Sequence, residues 1–241
     1  MAINADILNP RMADRKLILA AAVAFPLVVL IGYFKSYYAI SFFQDARPIA
    51  NALVHAHGIV MSAWVLYFVA QVALIRTKNF KLHMTMGFAG IALAGLVIVV
   101  GLATAYDAML VRRNAPPGAD PHGFFLLPVS DMVLFIVLFA SAIYYRKSPA
   151  EHKGLMLLTA INFMPAALFR VSIVPEPYTY FWAFGLPAIA AVAILVWRTW
   201  KTGSLNKVFA AGVALLVAAV PLRLVISESQ AWLSFVEWLA P

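Results

Sequence analysis

Seven runs of mostly apolar residues, each about long enough to cross a bilayer, constrain this chain more than any other feature. They cover roughly 17–34, 49–75, 84–106, 124–145, 153–173, 178–197 and 208–226. A helix needs about 20 such residues to span the hydrocarbon core. In lipid, backbone polar groups must be satisfied within the segment, so each run is expected to be helical. The expected fold is an all-α seven-transmembrane-helix bundle, a single integral membrane domain over 1–241 without internal repeats. Composition agrees, with 64% hydrophobic and 12% charged residues, against about 45–50% and about 25% in soluble domains. The first run, LILAAAVAFPLVVLIGYF, exceeds the ~7–15 residues of a signal-peptide core, and no small-residue cleavage site follows it. It reads as a retained anchor.

The net charge of +8 comes from short basic clusters between the runs, the pattern of membrane topology signals and not of a nucleic-acid surface. With seven alternating spans, the N-terminal side carries Arg11, Arg15, Lys16, Arg76, Lys78, Lys81, Arg146, Lys147, Lys153, Arg198, Lys201 and Lys207. The other side carries only Lys35, Arg47, Arg112, Arg113, Arg170 and Arg223. That bias predicts a cytoplasmic N-terminus and an outside C-terminus in a bacterial-type cytoplasmic membrane. The chain has no cysteine, which excludes disulfides, thiolate metal ligands and cysteine nucleophiles.

Local signals refine the ends. Ser148-Pro149-Ala150-Glu151 reads as a capping box with proline at the first helical position. The loop NAPPGADPHG over 114–123 reads as turn rather than helix, with His122 solvated. In the tail over 227–241, a Ser-x-x-Gln cap at Ser227 precedes Trp232, Phe235 and Leu239, which predicts a short helix lying at the outer interface.

Ionisable groups within a membrane span are costly and are functional candidates by default. His57, Asp131, Arg170 and Arg223 lie within the runs, all in the outer third of their helices by this topology. At about 100° per residue, His57, Trp64 and Gln71 fall on one stripe, and His55 is turned about 200° from His57. A second stripe over 152–170 carries His152 and Arg170, flanked by Asn162. His57, Trp64, Gln71, Asp131, Asn162 and Arg170 therefore form a candidate ligand pocket. The alternative is that Asp131 and Arg170 neutralise each other as a buried ion pair, with His57 hydrogen-bonded nearby. Arg223 is expected to snorkel to the interface. At the cytoplasmic end, His83 and His152 could meet and hold a divalent metal or the iron of haem b.

The pieces HAHG with Trp64 and Gln71, LHMTMG at 82–87, and EHKGLMLL at 151–158 with Pro165 and Arg170 beyond resemble a widespread family of uncharacterised bacterial multipass inner-membrane proteins. The resemblance covers about 50–175 and implies a shared helical membrane fold and no particular reaction. It also implies that His57, His83 and His152 belong to the family pattern. Better-known seven-helix classes fit badly. The last run has no central lysine for a retinal Schiff base and no histidine pair for zinc.

Three function classes follow. One is a small redox, metal- or haem-binding module handling a lipophilic, quinone-like ligand. Another is a proton-coupled transporter or carrier. The third is a non-catalytic accessory or assembly subunit of a larger membrane complex. Whether the chain is an enzyme is left open by its residues. The partners expected are the lipid bilayer, a small lipophilic ligand or a larger complex, and no nucleic acid.

Overall fold

A computed structural model of the chain describes residues 10–45, 48–116, 118–171, 174–175 and 177–241, with side chains from 15 onward. Arg47, Pro117 and the 172–173 end of the expected fifth run lie outside the described residues. The described residues are helical or irregular, with no strand among them. In chain order the helices are α1 Pro10–Tyr33, α2 Ala52–Arg76, α3 Phe80–Tyr106, α4 Pro121–Phe124, α5 Leu126–Tyr144, α6 Pro149–Leu168, α7 Leu186–Thr202, α8 Lys207–Ser227 and α9 Gln230–Leu239. Short π-helical turns extend α1 and α3 and precede α7.

Six helical stretches among the described residues are long and apolar enough to cross a membrane: Arg15–Tyr38, Ala52–Arg76, Phe80–Val111, Pro121–Lys147, Phe181–Thr202 and Lys207–Ser227. The helix over the expected fifth run, α6, is not among them. Its sequence, PAEHKGLMLLTAINFMPAAL, carries charge at its start and Thr159 and Asn162 near its middle. Its apolarity is lower because its surroundings are protein. Eleven of its 20 residues are buried, whereas only Trp64, Val65 and Phe68 are buried among the 25 of α2. A helix covered by other helices has no need of an unbroken apolar surface.

The chain divides into two compact units, Met1–Ala39 with Val137–Val217 and Ile40–Ile136 with Ala218–Pro241. In the first unit, α6 packs on α1 and α7. Gly32, near the end of α1, lies so close to the backbone of Ala167, near the end of α6, that a Cβ there would collide with it. The two helices therefore run in the same direction. At the opposite end of α6, Arg198 of α7 donates through Nη2 to the carbonyl of Ala150 at 3.3 Å. Trp182, just before α7, donates to the carbonyl of Leu168 at 3.2 Å. The start of α6 thus meets the end of α7, and the end of α6 meets its approach, so α6 and α7 are antiparallel along their length.

In the second unit, α2 and α3 form an antiparallel hairpin tied at both ends. Asn51 caps α2 by accepting from the Val54 amide at 3.0 Å, and its Nδ2 donates to Asp107 at 3.0 Å. Asp107 also accepts from Arg112 Nε at 2.7 Å. At the other end, the Tyr67 hydroxyl donates to the carbonyl of Met86 at 2.6 Å. Gly90 makes this possible, because a Cβ there would occupy the space of the Tyr67 ring.

Several local expectations need correction. The Ser148 side chain makes no cap hydrogen bond; Glu151 instead accepts from Asn206 Nδ2 at 3.1 Å, which draws it away from the reciprocal box. The loop over 114–123 is not turn throughout, since α4 begins at Pro121 and Asp120 caps it by accepting from the Gly123 amide at 2.9 Å. His122 is half-buried within α4, and its carbonyl accepts from Trp232 Nε1 at 3.0 Å. The tail helix is capped by Ser229, which accepts from the Trp232 amide at 3.3 Å. Nor does α9 rest on an interface with Trp232, Phe235 and Leu239 alike. Val236 is fully buried in a cluster with Ala105, Leu110 and Phe125, and Trp232 and Leu239 pack beside it. Phe235 and Trp238 are exposed. Helical phase alone does not make the split, since 232, 235 and 239 also lie within about 60° of one another; contact with Ala105, Leu110 and Phe125 centres the buried face on Val236.

Candidate functional site

Asp131 sits on α5 behind Ser130, both in the second unit. Its ion-pair partner is Arg223 of α8, with Nη2 to Oδ1 at 2.5 Å. Arg223 Nε also donates to Ser130 Oγ at 2.7 Å, and Ser130 in turn donates to the Leu127 carbonyl at 2.9 Å. Arg223 is 5% exposed and Asp131 8%. The expectation that Arg223 snorkels is therefore wrong. Burying a guanidinium without a counter-charge is prohibitive, and Asp131 supplies that charge. The expected Asp131–Arg170 pair is replaced by Asp131–Arg223. Arg170 is exposed, donates to the Ala166 carbonyl at 2.5 Å and lies 4.4 Å above the centroid of the Tyr33 ring, all within the first unit.

The α2 stripe divides into two positions. His57 and Gln71 are fourteen residues apart, about 21 Å along a helix at 1.5 Å per residue. His57 is half-buried near the start of α2, with Nδ1 inward, and His55 is exposed. Trp64, in the middle, is 1% exposed. Its ring lies 6.2 Å from that of Tyr67, nearly parallel, and 5.1 Å from Phe135, edge-on at 88°. These rings form an aromatic wall between α2 and α5 within the second unit.

At the far end of the stripe, Gln71 Nε2 donates to the Tyr67 hydroxyl at 2.5 Å. Tyr67 spends its single proton on the Met86 carbonyl, so its oxygen can only accept from Gln71. That fixes the orientation of the Gln71 amide. Gln71 Oε1 is left buried with no hydrogen-bond partner among the described residues. Such an acceptor costs about 1–3 kcal/mol if nothing donates to it. His83 lies on α3 one turn before Met86, on the same face as Gly90. Tyr67 is the residue that periodicity missed; the available signal was its i, i+4 spacing to Gln71.

In the first unit, Asn162 is 3% exposed within α6, as is Thr159 at 0%. Thr159 Oγ1 donates back to the Met156 carbonyl at 2.7 Å. His152 Nδ1 lies 2.8 Å from the Ala142 carbonyl, which holds its proton on Nδ1. That contact ties the first turn of α6 to the end of α5. Arg198, also absent from the expected set, is 7% exposed, and its guanidinium lies 4.6 Å from the Phe209 ring. His83 and His152 belong to different units. Among the described residues, no group of three or more histidine, aspartate or glutamate side chains is arranged to hold a metal ion.

No protein-family model, curated protein or solved structure matches this chain.

Proposed function

We propose that this is a seven-pass protein of a bacterial-type cytoplasmic membrane, N-terminus inside, that binds a small lipophilic molecule at the Tyr67–Gln71 end of the α2–α3 hairpin. Seven crossings are supported by α6 running beside α1 and antiparallel to α7, whose apolar lengths suffice to cross. Twenty residues give α6 a length of about 30 Å, matching the hydrocarbon core. The basic-residue bias supports the orientation.

The ligand assignment rests on one observation, the buried Gln71 Oε1 acceptor. The Tyr67 hydroxyl donates to Met86 and Gln71 Nε2 donates to Tyr67, so neither serves this acceptor, and a ligand bringing an O–H or N–H group would complement it. A quinol or another hydroxylated lipophile fits, and a ligand offering only carbonyl oxygens does not. The test is a thermal-shift titration of purified protein with a short-chain quinol, kept anaerobic, and with its quinone. Stabilisation by the quinol that disappears in Gln71→Leu is expected. Equal response of both proteins, or none from either, would count against the site. A Soret band in the same sample would add a haem to this reading.

The Asp131–Arg223 pair favours a second reading, an accessory subunit of a larger complex. Its charges are neutralised within the chain and require no ligand. Recovery of the protein from native membranes only as part of a larger assembly would favour it.

A further inference from the structure

A cavity of about 330 Å³ lies in the first unit between the last two turns of α5, α6 and the first two turns of α8. That volume is at the low end of ligand sites, about 300–1,000 Å³. Its floor is buried, formed by Leu138, Leu155 and Gly212. Its edges are exposed apolar residues, Val137 at 42% and Leu215 at 44%, so it opens sideways as a groove rather than closing as a pocket.

The groove has a polar end and an apolar end. Tyr145 and Lys207 line it where α5 ends and α8 begins. From there it runs along 145 to 137 on α5 and 207 to 215 on α8, eight residues or about 12 Å on each helix. One leaflet of the hydrocarbon core is about 15 Å deep, half of ~30 Å. Ser141 places one hydroxyl about 6 Å in from the polar end, the depth at which an ester carbonyl would follow a headgroup. Arg146 and Lys147 follow Tyr145 directly and are exposed. The nearest acid in sequence on α6, Glu151, is engaged by Asn206, and Lys207 has no ion-pair partner among the described residues.

We propose that this groove holds an anionic phospholipid, one acyl chain lying against Leu138, Leu155 and Gly212 and the phosphate at Lys207. Basic sites between membrane helices on the cytoplasmic side recognise anionic headgroups in this way. The site is separate from the Gln71 position and does not depend on it.

The test is lipid binding to the full chain in detergent micelles by native mass spectrometry. The probes are dioleoyl phosphatidylglycerol, dioleoyl phosphatidylcholine and soluble glycerol 3-phosphate. Wild type should prefer the phosphatidylglycerol by about fivefold, the worth of one basic residue near an anionic surface. Lys207→Gln should abolish that preference, and Lys207→Arg should keep it. Ala211→Trp, at an exposed lining position, should weaken both lipids. Equal binding of the two lipids by wild type would overturn the proposal. So would a preference that survives Lys207→Gln, lipid binding that survives Ala211→Trp, or glycerol 3-phosphate binding as tightly as the phosphatidylglycerol.

Discussion

Removing one member of the Asp131–Arg223 pair should be far more damaging than removing both. The groups meet at 2.5 Å, with side chains 11% and 5% exposed. At a charge separation of about 4 Å and an effective dielectric near 20, their attraction is about 4 kcal/mol. Asp131→Leu leaves the Arg223 guanidinium buried without its counter-charge, with Ser130 still accepting from Nε. Arg223→Met leaves a buried carboxylate. Each single change should cost about 3–5 kcal/mol, whereas the double change should be close to neutral. At about 2–4 °C per kcal/mol for a chain of this size, the single variants should melt roughly 6–20 °C below wild type. Melting in detergent followed by tryptophan fluorescence reads this directly. Arg170→Met is the control, since Arg170 is exposed and offers a cation–π contact of about 0.5–1 kcal/mol. It should add independently to Asp131→Leu. If the Asp131→Leu/Arg223→Met double variant loses the sum of its singles, or if Arg170→Met couples to Asp131→Leu as strongly as Arg223→Met does, the pairing is refuted.

Three further outcomes follow from packing. Gly90→Val places a side chain where the Tyr67 ring lies and should cost about 1–3 kcal/mol; Gly87→Val, in open space, should cost far less, as melting temperatures will read out. Val236→Asp buries a carboxylate in an apolar cluster and should release α9, seen as rapid proteolytic loss of the C-terminal residues, with Glu237→Asp at the neighbouring exposed position unchanged. Trp182→Phe removes one hydrogen bond to the end of α6 and should lower stability by about 1 kcal/mol while leaving helical content by circular dichroism intact.

Much of the architecture was legible because bilayer thickness acts on one segment at a time. Apolar length alone located six of the helical stretches now found membrane-capable, within a few residues. The α6 helix was found too, since its run lies between a proline start and a Pro/Arg-rich end, but its burial was not foreseen. Burial is a property of its neighbours, and low apolarity only hinted at it. The tail helix was expected, yet its docking face was not, because Phe235 and Val236 are both apolar and only contact with Ala105 and Phe125 distinguishes them.

Helical phase placed His57, Trp64 and Gln71 on one stripe of α2, and that relation needs nothing beyond 3.6 residues per turn. Phase cannot say which helix faces which. Asp131 meets a partner 92 residues away, the Arg223 expected to snorkel and not the Arg170 expected to pair with it. The same holds for Gln71, whose orientation depends on a Tyr67 proton that goes to a carbonyl on another helix. Span length and charge bias are therefore decided along the chain. Which groups neutralise one another, and which polar atom is left over, is decided only by packing, because pair energies fall off within a few ångströms and sequence separation carries no information about that distance.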